Sequence, residues 1–228
     1  MKAKFGAIVV AGRGKIGGHV ASQNRSGSYF RTKVTPINRN SASQAGVRER
    51  LTGISQSWRG LTEAQRTAWN AAVNDYSRTD IFGDVRNPSG FTLFQRLNNN
   101  LSAIGISTIS DPPVPESVGV CTAGALTYTV GSPALSLALS NTVPADTKVK
   151  VFATAPLSAG KNFVKSEFRL ITVLAAAATS PANLKTAYET KFGSLGSVGQ
   201  KIFVQLVCVN SNTGQEGTPS IASAISAS

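Results

Sequence analysis

Three prolines in four residues divide this chain of 228 residues: Pro112, Pro113 and Pro115 fall within the run Asp111-Pro112-Pro113-Val114-Pro115-Glu116. Proline lacks the amide hydrogen that a helix or an inner strand needs, and its fixed φ favours an extended spacer. The hydrophobic pattern changes at this point. Before it, apolar residues recur at three- and four-residue intervals. After it, they alternate in short runs separated by Gly, Pro, Asn and Ser. The length suits one large domain or two small ones. The sequence therefore predicts a first domain over 1–110, a linker over 111–117 and a second domain over 118–228.

The first domain begins extended. Ile8, Val9 and Val10 form a β-branched run, and Asn24-Arg25-Ser26-Gly27-Ser28 makes a hairpin turn between the runs 19–23 and 29–34. A helix then starts near Ser41 or Ser43, with Val47, Leu51, Ile54 and Trp58 on one face and Gly60 as its stop. Thr62 caps a second helix, Gln65 completes a capping box and Leu61 stands at the staple position. Trp69, Val73 and Tyr76 form its apolar stripe. The link at Gly60 is so short that the two helices form a hairpin. Turn residues fill 77–88. Ser89 caps a third helix carrying Phe91, Phe94, Leu97, Leu101 and Ile104, and Gly105 ends it. The triplet Asn98-Asn99-Asn100 is expected on its solvated face.

The second domain predicts strands at 126–130, 135–140, 148–154, 168–174 and 202–210, with a last one around Ile221. A short helix is expected at 181–191. About seven strands at this spacing describe a β-sandwich. Cys121 and Cys208 are too few for a disulfide scaffold and wrongly spaced for a metal site, so free buried thiols are expected.

The apolar fraction of 41% supports a packed core. The formal charge is +12, and it is unevenly placed. Up to Ser110 there are 15 Lys and Arg against 5 Asp and Glu; from Asp111 onward there are 8 against 6. A basic half attracts nucleic acid, an anionic surface or an acidic protein. The plain alternative is a soluble domain with a basic surface. Arg13, Lys15, Arg25, Arg31 and Lys33 fall in the extended section, and Arg39, Arg48, Arg50, Arg59 and Arg66 around the helical hairpin. These ten are the candidate interface. Arginine predominates among them, which suits bidentate contact with carboxylate or phosphate.

No constellation for catalysis is legible. Gly12-Arg13-Gly14-Lys15-Ile16-Gly17 matches G-x-G-x-x-G, but strand-like residues follow it and the next acid is Glu49. These glycines are better explained as bends beside a strand. His19 is the single histidine, and both cysteines lie in the other half. Asp75, Asp80 and Asp84 lack the spacing of a calcium loop. The expectation is a non-enzyme without cofactor or metal, lacking a secretory leader or membrane span.

The ordered series Gly14-Lys15-Ile16-Gly17-Gly18, Gly27-Ser28-Tyr29-Phe30-Arg31 and Val34-Thr35-Pro36-Ile37-Asn38 continues through Gln44 to Arg48 and Trp58 to Trp69. It ends in Asn87-Pro88-Ser89-Gly90-Phe91 with Phe94 and Asn98. Over about the first 113 residues, this series resembles a family of poorly characterised proteins encoded by tailed bacteriophages and prophages. The second half is similar to the immunoglobulin-like or fibronectin-like sandwiches often appended to virion proteins. The resemblance implies a structural component of the particle, a capsid auxiliary or decoration protein, and supplies no catalytic residues. The expected fold is an α+β N-terminal domain, a β-hairpin plus three helices, followed by an all-β immunoglobulin-like sandwich. The expected location is the virion, after synthesis in the bacterial cytoplasm. The expected partners are other virion proteins of the capsid, neck or tail. Self-association is left open, and no membrane is involved. DNA contact through the same arginines, or host adhesion through the sandwich loops, are the alternatives.

Overall fold

The structure, a computed structural model, describes residues 12–24, 27–38, 40–79, 83 and 85–227. The described residues form a mixed α+β fold of four α-helices and antiparallel sheets. The chain divides into two compact units, the first ending at Ala45 and the second starting at Gly46. The expected strand at Ile8–Val10 lies outside the described residues.

The first unit is a three-stranded meander of β1 (Gly14–Ile16), β2 (His19–Asn24) and β3 (Gly27–Thr32). Ile16 pairs with His19, so Gly17 and Gly18 alone make the turn, and Gly17 has φ of 56°. That backbone region is open to glycine at little cost. The G-x-G-x-x-G run is thus one strand and the turn that follows it. Asn24 pairs with Gly27, closing the expected second hairpin.

The first turn of α1 (Ala42–Gly60) falls before the division and the rest of it in the second unit, followed there by α2 (Glu63–Ala71), which a 3-10 turn at Ala72–Tyr76 continues. Ser41 and Gln44 cap α1 reciprocally, and Thr62 with Gln65 does the same for α2. The segment expected as irregular holds a two-residue ladder between β4 (Arg78–Thr79) and β5 (Val85–Arg86). Ser89 then caps α3 (Gly90–Ala103). Ile54, Leu61, Trp69, Tyr76, Leu93, Phe94 and Leu97 form one apolar core, with Trp58 partly buried against it. Each such side chain contributes about 1.5–3 kcal/mol on burial. The stripe on α1 only half reaches this core. Ile54 is buried, whereas Val47 and Leu51 are 61% and 51% exposed.

Asn98 and Asn100 do not face solvent. Asn98 is fully buried and brackets the backbone of Ile109, its Oδ1 accepting from the amide at 2.7 Å and its Nδ2 donating to the carbonyl at 3.2 Å. Asn100 donates to the Gly214 carbonyl at 2.9 Å. Only Asn99 is exposed. The two amides are buried because the chain after α3 folds back over that face and needs polar partners there. Asn98→Ala strips both groups of Ile109 of their partner and should cost about 2 kcal/mol in a urea melt.

The remaining strands are β6 (Ala123–Thr129), β7 (Ala134–Leu139), β8 (Thr147–Ala153), β9 (Arg169–Leu174) and β10 (Ala182–Asn183). After α4 (Lys185–Phe192) come β11 (Lys201–Asn210) and β12 (Ser220–Ile225). They build two sheets, ordered β10-β7-β6 and β12-β11-β8-β9. Leu135, Leu137 and Leu139 of β7 share one core with Val149, Val151 and Ala153 of β8 and with Ile202, Val204 and Leu206 of β11. The expected helix at 181–191 starts later, at Lys185. Ala182 and Asn183 instead pair with β7, and the Asn183 side chain accepts from the Lys185 amide. Cys121 and Cys208 are free and buried. Burial pushes both thiols above their ordinary pKa, and the Cys208 thiol donates to the Cys121 carbonyl at 3.4 Å.

The four-stranded sheet is covered on its other face as well. Val209 of β11 packs with Leu101 and Ile104 of α3, and Lys148 of β8 donates to the Ile104 carbonyl at 3.1 Å. This explains the nearly continuous burial along β11, a pattern typical of a strand covered on both faces. The helices at 46–110 and the β sheets belong to one unit, and residues 111–117 are not a free spacer. They are strapped down: Trp69 Nε1 donates to the Ser110 carbonyl at 2.7 Å, Gln65 to Asp111 at 3.2 Å, and Tyr76 Oη to the Pro113 carbonyl at 2.9 Å. Prolines suit this course because an extended strap offers its carbonyls while having few amides to satisfy.

Candidate interaction surface

On the meander, strand register gathers the cations. Lys15 pairs with Val20, and Val20 pairs with Arg31. Residues directly opposite in an antiparallel ladder point to the same face, so Lys15 and Arg31 stand on either side of Val20. Lys33 continues that row, its amide bonded to the Gly18 carbonyl at 2.9 Å, and Arg13 lies two residues before Lys15. All four are exposed. The shared face of Lys15 and Arg31 follows from the register through Val20, and no pattern in the sequence marks it. His19 is exposed and pairs with Ile16 and Thr32, on the opposite face. Arg25 and Arg39 lie outside the described residues.

In the second unit, Arg48 and Arg59 are exposed on α1, and Arg50 is half-buried. Eleven residues separate Arg48 from Arg59, about three helical turns, so both rise from the same side. Arg66 has a different place. Its Nη2 donates to the Arg59 carbonyl at 2.8 Å, and its Nη1 lies 3.4 Å from Glu63 Oε2. A cation that satisfies an end carbonyl and opposes the negative end of a helix dipole is a structural clasp between α1 and α2. Nothing in the sequence separated Arg66 from its neighbours except its position four residues into α2. Arg96, which sequence reasoning did not single out, sits over the Tyr76 ring at 5.8 Å.

A polar cleft of about 190 Å³ lies between α3 and the loop before β12, lined by Tyr76, Arg96, Asn100, Gln215 and Glu216 among others. Glu216 is engaged there by an ion pair with the buried Lys150. Burial, opposed by the nearby Arg96, holds the Tyr76 phenol above its usual pKa. Tyr128 and Tyr188 are raised in the same way, each mainly by burial. Together with the two thiols, these groups stay protonated at neutral pH, so none of them is poised as a base. Of the three aspartates weighed as a calcium loop, Asp80 and Asp84 lie outside the described residues. No cluster of three or more His, Cys, Asp or Glu forms among the described residues. No helix among them is long and apolar enough to cross a membrane.

The exposed cations among the described residues thus lie on a sheet face and along a helix. Comparison of the chain with known family models, curated proteins and solved structures finds no match.

Proposed function

We propose that the chain is a structural protein of a tailed-bacteriophage particle, a capsid auxiliary or decoration protein that docks through its exposed cations. The observation that carries this reading is the display of Arg13, Lys15, Arg31 and Lys33 on the meander and of Arg48 and Arg59 on α1. Such arrays bind broad anionic surfaces, where complementary charge speeds encounter and fixes orientation. The resemblance of the first 113 residues to proteins of tailed phages supplies the setting. In this reading the two sheets built from β6 to β12 are an immunoglobulin-like sandwich, which meets a neighbouring copy or projects from the particle. Other virion proteins are the partners, the virion is the location, and no bond is made or broken.

The test is a retention assay. The full chain is expected to stay on purified capsids at moderate salt while leaving duplex DNA, because DNA binding that rests on phosphate contacts alone is weak at such salt. Retention on DNA alone would replace this reading with a DNA-associated one. Reversal of Arg48, Arg50 and Arg59 to Glu should abolish incorporation into particles while leaving the fold intact. Normal incorporation of that variant would remove α1 from the docking surface.

A further inference from the structure

The first three turns of α1 are a helix with little to hold it. Of its nineteen residues only Ile54 is buried, and residues 42–49 and 51–53 are all exposed. A helical stretch of this length is marginal in water without packing, and Gly46 and Gly53 weaken it by about 1 kcal/mol each. Yet the stretch carries an ordered apolar row. Val47, Leu51, Ile54 and Trp58 follow one another at intervals of four, three and four, the alternating seam positions of a heptad. Ile54 and Trp58, the lower half, pack on the core with Phe94, whose ring lies 5.3 Å from that of Trp58. Val47 and Leu51, the upper half, continue the same row into solvent.

The residues beside the seam say what fits it. Arg48 and Arg50 occupy the two positions flanking Val47 and Leu51, whereas Glu49 sits on the far side of the helix. A second copy is a poor occupant. Aligned in parallel, Arg48 and Arg50 would meet Ser43 and Ser55; aligned antiparallel over this half, arginine would meet arginine. We infer that the exposed half of α1 is a docking seam for an amphipathic helix of a partner protein that carries Glu or Asp beside its apolar row. This deepens the particle reading by naming what the partner presents, and its test uses no particles, so the two can fail separately.

The probe is a fluorescent 21-residue peptide with Leu at both seam positions of each heptad and Glu at both flanking positions. Its own like charges keep it from pairing with itself. A matched peptide carries Lys in place of Glu. By anisotropy with the full chain at low salt, the Glu peptide should bind saturably and at least about tenfold more tightly than the Lys peptide. The difference should shrink as salt rises. Leu51→Asp and Val47→Asp should each weaken binding by about tenfold or more while leaving the melting midpoint in place, since both side chains are exposed. Amide exchange in residues 42–53 should slow when the peptide binds. The inference is overturned if the Glu peptide does not bind, if both peptides bind alike, or if the Leu51→Asp chain binds as before. A concentration-dependent dimer that Leu51→Asp dissolves would overturn it too, by making a second copy the occupant. Peptide failure beside normal capsid retention would sink the seam and leave the particle reading standing.

Discussion

Trp69→Ala should lower the stability of residues 46–228 by about 3–5 kcal/mol. The indole is fully buried, meets the Phe94 ring edge-on at 5.3 Å and donates to the Ser110 carbonyl. Truncation therefore opens a cavity beneath α3 and frees one end of the proline strap. Domains of this size hold about 5–15 kcal/mol in total, so the variant should melt many degrees lower or fail to fold. Trp69→Phe separates the two contributions. It keeps most of the ring contact and loses the hydrogen bond, and about 1–2 kcal/mol should go with it. Because α3 also packs on β11, the loss should appear in one transition shared by helices and sheets. An unchanged midpoint, or a separate helical transition, would contradict this account of the second unit.

Gly214→Ala should cost about 3 kcal/mol, although it adds only one methyl group. Gly214 has φ of 71°, where a β-carbon is strained by about 1–2 kcal/mol. The new carbon would also lie 2.4 Å from the Leu97 carbonyl oxygen and 3.0 Å from Leu101 Cγ. Those atoms belong to the middle of α3 and cannot move without disturbing the core, so overpacking adds about 1–3 kcal/mol. The substitution thus tests the seat of α3 on the loop between β11 and β12, where Asn100 also bonds the Gly214 carbonyl. A matched thermal and urea melt reads the effect. Stability equal to the parent would mean that this close approach does not exist in solution.

Local signals in the sequence carried far. Thr62 and Ser89 cap their helices where expected, and of the two candidates for α1 it is Ser41 that caps, because a cap depends on residues within one turn. The strands also fall near their expected places, since alternation along β7 directly reflects one buried face. What escaped was set by contacts distant along the chain. Asn98 and Asn100 have no local mark that distinguishes them from the exposed Asn99; their burial comes from residues 109 and 214. The prolines at 112–115 announce an extended path but cannot say whether it is free or strapped down. Val47 and Leu51 share a period with Ile54 and Trp58, and periodicity alone cannot tell a seam that is filled from one still waiting for its partner. For the candidate surface, residue type marked the cations, while their sharing of one face on the meander required the register.

The central claim is that this chain is built into a phage particle through its cationic surface. Quantitative mass spectrometry of intact, purified particles whose genome encodes the chain tests it most directly. The account predicts that the chain is present at a fixed stoichiometry to the major shell protein. Hundreds of copies would place it on the shell, and about a dozen or fewer at the neck or tail. Absence from the particles, while the chain accumulates in the cells that produced them, would contradict it.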